Sequence, residues 1–582
     1  MTLFHYETDR MDYGSLLKPD EGYSVEFAVA FTYSLDLEAL LGVPLSLTMA
    51  GDMDSGLSDS PHSLLTGIIR CSDRLAIFCN AGCIAIPRTQ REQKSIFALL
   101  EKCVFEIRFE GTKNFHPKLW FIKYSSADNT NAPYIRLIVL SRNLTFDRSL
   151  DYAVALTGKV TGRVYKKNAP LVDMLQFVAQ SASKEQGKKI RKLAKEVLTT
   201  NFRVEDPFDD YACIPFGLGG DTSPKTIFGE CDDLVVISPF LEISSKNTFL
   251  KELTKLAKRK KALFTRKDSL TQEIIDLFSE VYIVEDALLE QDGDGEEDPS
   301  PSPCDLHAKL YFTHSGDRNC LYVGSANASH KGFFKNIEFL LRLQFKRQRM
   351  GYELLKKSLS PETGSPFMKI SRLDEDTSSA AESLQKEKDF KDAMRSITGA
   401  TAIMKKKSEC FSLTIHAKPC RVGASLSLLC STKKLEPLRD GLVFEGLSQE
   451  ELSEFFILQV EDRKAVIKVP VKGIPDTRDQ AVYRSIIRDK DDFMAYVSFM
   501  LPGAHSGHAS RQHKSGEGGD AKHATVPPAL YENMLEYMVE NPRQVLELED
   551  VMKRLGEEDD HIFQQFKPMF TAFKEAAKKR HV

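Results

Sequence analysis

Two histidine–lysine pairs, His116-Pro-Lys118 and His307-Ala-Lys309, are each followed by a serine and an asparagine, in Ser141-Arg-Asn143 and Ser325-Ala-Asn327. An acid leading an apolar stretch completes each set, Asp151 in SLDYAVAL and Glu338 in NIEFLLRL. Residues of these types can cleave a phosphodiester without a metal ion. The anionic diester repels nucleophiles, so cations and amide donors must be preorganised around its nonbridging oxygens. Lys118, Lys309, Asn143 and Asn327 can do this. Two imidazoles on opposite sides of phosphorus allow in-line displacement, one attacking covalently while the other protonates the leaving oxygen. An ordinary imidazole pKa of about 6.5 suits both tasks. Water activated by the second histidine would then release a phosphohistidine. Asp151 and Glu338 are expected to hold imidazole nitrogens and fix their tautomers, as carboxylates do in triads. The sequence leaves open which histidine attacks.

Each His-x-Lys begins an apolar alternating run, HPKLWFIKY and HAKLYFT. Period two puts His and Lys on one strand face and turns Leu119, Leu310 and Phe312 into a core. A second strand follows each time, LIVLSRN and LYVGSAN, and its end delivers the asparagine. The upstream context repeats as well. LAIFC from Leu75, a helical stretch at 96–100 and VFEIRF from Val104 precede His116. LVVISPF from Leu234, a helix with Phe249, Leu250, Leu253 and Leu256 on one face, ALFTRK, a helix with Ile274, Ile275 and Phe278, and VYIV from Val281 precede His307. Strands alternating with helices predict an α/β fold of two lobes, each a mixed sheet flanked by helices. The third His-x-Lys, His416-Ala-Lys418, has no Ser-x-Asn after it and reads as structural.

Over roughly residues 24–345 the chain resembles the phospholipase D superfamily, whose signature is His-x-Lys, an Asp a few positions on, then Gly-Ser-x-Asn and a trailing acid. Gly324-Ser325-Ala326-Asn327 matches closely and Ser141-Arg142-Asn143 more loosely. The Asp is missing from both copies, because Lys123 and His314 stand in its place. In this the chain is similar to the tyrosyl-DNA phosphodiesterase branch and to some bacterial nucleases, and it leans away from the lipid-cleaving branch. The resemblance implies a phosphodiesterase acting on nucleic acid, DNA first, with no cofactor and no metal. It also implies catalytic roles for His116, Lys118, Asn143, Asp151, His307, Lys309, Ser325, Asn327 and Glu338. Bacterial chains of this kind with long carboxy-terminal extensions look like restriction or antiphage nucleases working beside a helicase or another defence subunit.

At 582 residues the chain exceeds one core. The seven expected segments are a first lobe (1–165), a helical bridge (166–202), a second lobe (203–345), a helical connector (346–405), a β-rich domain (406–502), a flexible linker (503–527) and a helical unit (528–582). Both half-sites lie in one polypeptide, so the active unit can be a monomer. Eleven scattered cysteines read as reduced thiols of a cytoplasmic protein, with Cys79 and Cys83 as small buried residues and not half a zinc site. The amino-terminal residues acquire charge early, which is not the pattern of a signal peptide, and no apolar run of about 18 residues predicts a membrane span.

A net charge of −4 excludes a protein that is basic overall, so a nucleic-acid groove must be local. The candidate is 251–267, where Lys255, Lys258, Arg259, Lys260, Lys261, Arg266 and Lys267 cluster at a helix end; cations there also complement the helix dipole. An acidic loop, QDGDGEEDPSPSP from Gln291, is expected near the site mouth, discouraging indiscriminate phosphate binding. Residues 168–200 read as bridging helices with Leu171, Met174, Leu175 and Val178 on one face. The histidines of the linker, His505, His508, His513 and His523, lack ligand geometry. Three rival readings stand beside the nuclease. They are an enzyme clearing adducts from DNA ends, a phospholipase or lipid transferase (for which no amphipathic membrane helix is evident), and a catalytically dead DNA-binding subunit.

Overall fold

The apolar runs around each His-x-Lys form strands, and the two sheets they build have the same order. In the computed structural model of the chain, the described residues are 13–48, 72–88, 91–126, 131–145, 149–242, 248–284, 305–346, 351–359, 367–372, 380–405, 410–420, 422–489 and 566–580, with single positions at 65, 68, 493, 549, 552 and 553. The acidic loop and the His-rich linker lie outside them.

The first sheet runs Thr200–Arg203, Ala153–Val160, Tyr134–Leu140, Leu119–Ser126, Tyr23–Phe31, Leu75–Asn80, Val104–Ile107. The second runs Asp210–Phe216, Glu338–Lys346, Arg318–Gly324, Leu310–Ser315, Cys231–Ile237, Ala257–Thr265, Glu280–Val284, Phe367–Ile370. Both are mixed. Tyr23–Phe31 is parallel to Leu75–Asn80 and antiparallel to Leu119–Ser126, just as Cys231–Ile237 is parallel to Ala257–Thr265 and antiparallel to Leu310–Ser315. The fold class is therefore α/β, with mixed sheets flanked by helices. The register corrects one pairing read from the sequence: the counterpart of LVVISPF is Tyr23–Phe31, and Leu75–Asn80 matches the ALFTRK strand. Central strands buried on both faces are continuous apolar runs, which carry no mark of register.

Alternation along Leu119–Ser126 divides the cores. Trp120 and Ile122 join an outer cluster of the first lobe, while Leu119 and Phe121 join a cluster shared with Val235, Leu310, Phe312 and Leu341 of the second. The bridge helices Ala169–Val178 and Lys184–Leu198 fill the same shared core with Leu171, Met174, Leu175, Val178, Ile190, Leu193 and Val197. Ser183 caps the second helix by accepting from Gln186 N–H. The lobes thus share apolar burial, which fixes their relative position.

The segment expected as a helical connector also holds strands. Phe367–Ile370 extends the second sheet, and Ile397–Met404 pairs with Phe411–Ala417 in a four-stranded sheet. The β-rich region is not free-standing either, because Ile84–Ala85 of the first lobe pairs with Arg463–Lys468 in a six-stranded sheet. Both differences have one physical source: exposed edges find partners wherever the chain supplies them. The union is reinforced by buried charge. Glu101 accepts from Ser453 Oγ at 2.5 Å, Glu454 N–H at 2.7 Å and Arg478 Nη1 at 3.1 Å. Phe566, Phe570 and Phe573, at the start of the terminal helix Lys567–Arg580, pack into the first lobe's outer core.

Candidate active site

The two motifs meet where the lobes join, and the backbone arranges them reciprocally. His116 N–H donates to Ile337 O at 2.9 Å, and Ile337 N–H to Asn114 O at 2.9 Å. On the other side Leu306 pairs with Leu150, and the N–H groups of His307 and Ala308 donate to Leu150 O at 3.2 and 2.9 Å. Each clamping residue, Ile337 or Leu150, is followed directly by the acid of its own copy. Asp151 thereby takes the same backbone relation to His307 that Glu338 takes to His116.

In the first half-site that relation closes into a hydrogen bond between copies. His116 Nδ1 donates to Glu338 Oε2 at 2.9 Å; an ionised carboxylate only accepts, so the proton is assigned to Nδ1 and the lone pair to Nε2. Glu338 is fully buried, and its Oε1 accepts from Asn336 Nδ2 at 3.1 Å. Lys118 Nζ lies 3.2 Å from His116 Nδ1 and 3.4 Å from Nε2 and donates to His116 O at 3.1 Å. Lys309 donates to His307 O and, across the junction, to Ser141 O at 3.4 Å. Both lysines are only 2–3% exposed, so two cations converge where a phosphate would have to supply their countercharge. His116 is pushed down to about 4, first by burial and then by the Lys118 and Lys309 ammoniums, against the upward pull of Glu338. Its imidazole is neutral near pH 7.

The serines do different work from that expected. Ser325, placed by sequence among the catalytic groups, is fully buried; its Oγ accepts from Phe339 N–H at 3.0 Å, and its own N–H donates to Phe339 O at 2.9 Å. Ser141 makes the matching pair with Tyr152 at 2.8 and 3.0 Å and donates from Oγ to Asp151 Oδ1 at 2.9 Å. Each serine pins the strand that carries its acid and is turned away from any substrate.

The asparagines are held by a pair of hydroxyls the sequence reading missed. Thr32 Oγ1 accepts from Leu144 N–H and Ser238 Oγ from Ala328 N–H, both at 3.0 Å, fixing the turns that bear Asn143 and Asn327. The next residue differs. Tyr33 N–H donates to Asn143 Oδ1 at 3.3 Å, whereas its counterpart Pro239 has no N–H; Asn327 Oδ1 is buried with no partner among the described residues. The Tyr33 ring lies 4.7 Å from the His116 ring, tilted by 47°. Aligning FAVAFTYS with LVVISPF would have exposed Thr32, Tyr33, Ser238 and Pro239.

The basic cluster divides. Lys258, Arg259, Lys260 and Lys261 lie on the strand Ala257–Thr265 itself, at the end where Lys260 pairs with Asp233 and Asp233 with His314. That is roughly 20 Å from His307 at about 3.3 Å per residue. Three of them are already in ion pairs, Lys258 with Glu230, Arg259 with Asp233 and Lys260 with Glu353. Their expected place in the substrate groove is therefore corrected. Arg266 and Lys267 stand at the site end, with the Arg266 guanidinium 4.7 Å over the Phe240 ring. His416 sits on an exposed face of the four-stranded sheet beside Thr401 Oγ1 at 2.9 Å. Among the described residues no helix is long and apolar enough to cross a membrane.

Fold and site together define a two-lobed α/β chain with paired His–Lys–Asn sets meeting at the junction of its lobes. No family model and no curated protein matches the sequence. Solved structures that are similar include the yeast tyrosyl-DNA phosphodiesterase, at 13% identity and a TM-score of 0.38, covering 60% of this chain and 88% of that one. Its H432N_Glu mutant gives 11% and 0.39 over the same shares. Phosphatidylserine synthase of Haemophilus influenzae Rd KW20 gives 9% and 0.33, covering 64% of this chain and 94% of that one.

Proposed function

We propose that this chain is a phosphodiesterase of the phospholipase D type that cleaves nucleic acid through a covalent phosphohistidine, with its own lysines in the place of metal ions. The observation that carries the reading is the hydrogen bond across the copies, from His116 Nδ1 to Glu338 Oε2, beside two buried ammonium groups. A neutral imidazole with its lone pair on Nε2 is an activated nucleophile, and the buried carboxylate stabilises the positive ring that forms when Nε2 bonds to phosphorus. We therefore assign attack to His116. His307 protonates the leaving oxygen and then takes a proton from the water that cleaves the phosphohistidine. Lys118, Lys309, Asn143 and Asn327 stabilise the charge on the nonbridging oxygens. DNA is the proposed substrate, since the missing Asp sets the motif apart from the lipid-cleaving pattern. The wider role, restriction or antiphage defence beside a helicase, rests on the resemblance to bacterial nucleases. The test is cleavage of labelled single- and double-stranded DNA in excess EDTA by wild type, His116→Ala and His307→Ala. Activity that survives EDTA and is lost in both variants is expected. Activity abolished by EDTA, or retained in either variant, would overturn the mechanism.

A further inference from the structure

The helix Ala380–Ser396 packs its Phe390 and Met394 against the Ala81–Gly82 turn of the first lobe, so closely that a Cβ at Gly82 would meet Phe390 at 3.0 Å. Arg463 of the six-stranded sheet stacks over Phe390 and donates to Gly82 O at 3.3 Å, and Arg395 donates to Phe109 O at 2.7 Å. This contact places Lys391 beside the catalytic strand. Its Nζ donates to Glu387 Oε1 at 2.8 Å and to Asn114 Oδ1 at 3.0 Å. From Asn114 the hydrogen bonds continue inward: Asn114 N–H donates to Asn336 Oδ1 at 3.2 Å, and Asn336 Nδ2 to Glu338 Oε1 at 3.1 Å. Glu338 Oε2 in turn holds His116. Asn114 and Asn336 are each buried to more than nine-tenths, so water does not compete with the chain.

We propose that Lys391 is a positioning residue for His116, and that through it the C-terminal half of the chain sets the reactivity of the site. The direction of each bond is fixed once Lys391 is in place. An ammonium only donates, so Asn114 must present Oδ1 to it. Asn114 N–H then requires Asn336 to present Oδ1, which turns Nδ2 toward Glu338 and leaves Oε2 to accept from the imidazole. Glu387, held below the usual carboxylate range by Lys391, Lys331 and Arg463 against the upward push of burial, keeps the ammonium on station. Loss of Lys391 frees the Asn114 amide to rotate, and the tautomer at His116 is no longer enforced.

The proposal rests on the reading of His116 as catalytic, so the test separates the two. In the full-length chain with labelled histidine, nitrogen NMR reports the His116 tautomer without substrate, for wild type, Lys391→Met and Lys391→Arg. The expected result is a mixed tautomer in Lys391→Met and recovery of the Nδ1–H form in Lys391→Arg. DNA cleavage should follow the same order, with kcat down roughly 10- to 100-fold in Lys391→Met, the range for groups that orient a functional side chain, and KM little changed. An unchanged tautomer in Lys391→Met would overturn the proposal. If that variant fails to fold, Asn336→Ala replaces it under the same criterion. Absence of cleavage by wild type would count against the functional reading alone.

Discussion

Replacing Glu338 by glutamine tests the site at its most constrained point. The carboxylate accepts twice, from Asn336 Nδ2 at 3.1 Å and from His116 Nδ1 at 2.9 Å. An amide offers one acceptor and one donor. Its oxygen must face Asn336, because two NH2 groups cannot share that contact, so its NH2 must face His116. Nδ1 then becomes the acceptor and the ring proton moves to Nε2, where it blocks attack on phosphorus. An Asp→Asn exchange that inverts the tautomer of a catalytic histidine costs about 10⁴ in kcat. In this site we expect a loss of roughly 10³- to 10⁴-fold, or about 4 to 5.4 kcal/mol at 1.36 kcal/mol per tenfold. Single-turnover cleavage of labelled DNA in EDTA measures the loss, nitrogen NMR of His116 reads the tautomer, and circular dichroism checks the fold. A folded variant with the Nδ1–H form intact and kcat within about tenfold of wild type would refute the reasoning.

Other consequences follow from the same contacts. Because burial and two lysines depress His116 to about 4, the acidic limb of kcat/KM should fall near pH 4. A limb at about 6.5, with roughly one imidazole in ten neutral at pH 5.5, would contradict that. The sign for stability is the same: the folded state binds fewer protons at this ring than the unfolded chain, so its contribution is full above about 6.5 and is lost as pH falls toward 4. Ser325→Ala should lower unfolding free energy by about 1–3 kcal/mol, read in urea, with the dissociation constant for uncleaved DNA unchanged, since that hydroxyl holds Phe339 and not substrate. Removing Lys258, Arg259, Lys260 and Lys261 together should leave the salt dependence of DNA binding as it is, whereas Arg266→Ala and Lys267→Ala should each lower the slope by about 1.

The residues of the site were legible because they recur in order, and a strand-end asparagine after a His-x-Lys strand is a local pattern. The crossing of the acids was not. Nothing near Glu338 in the chain says that it serves His116, since that contact exists only once Phe115 and Ile337 pair across the lobes. The same holds for the C-terminal region, which composition alone cast as a set of appendages. Its attachment runs through Glu101, Glu106 and Asn114, polar residues of the first lobe whose partners lie hundreds of positions away. Hydrophobic periodicity finds faces but does not name the polar group that will meet another inside. The basic stretch misled for a related reason: charge density in sequence does not reveal which end of a strand faces the chemistry.

The proline at position 239 bears on why both halves belong to one polypeptide. A twofold dimer of half-length chains would repeat every substitution on both sides, so a donor lost beside one asparagine would be lost beside the other. Joined in a single chain, the halves can drift apart: Tyr33 keeps its hold on Asn143 while Asn327 has an open acceptor. The near-symmetry records a copying event, and the ring of Pro239 marks where the copies ceased to be interchangeable.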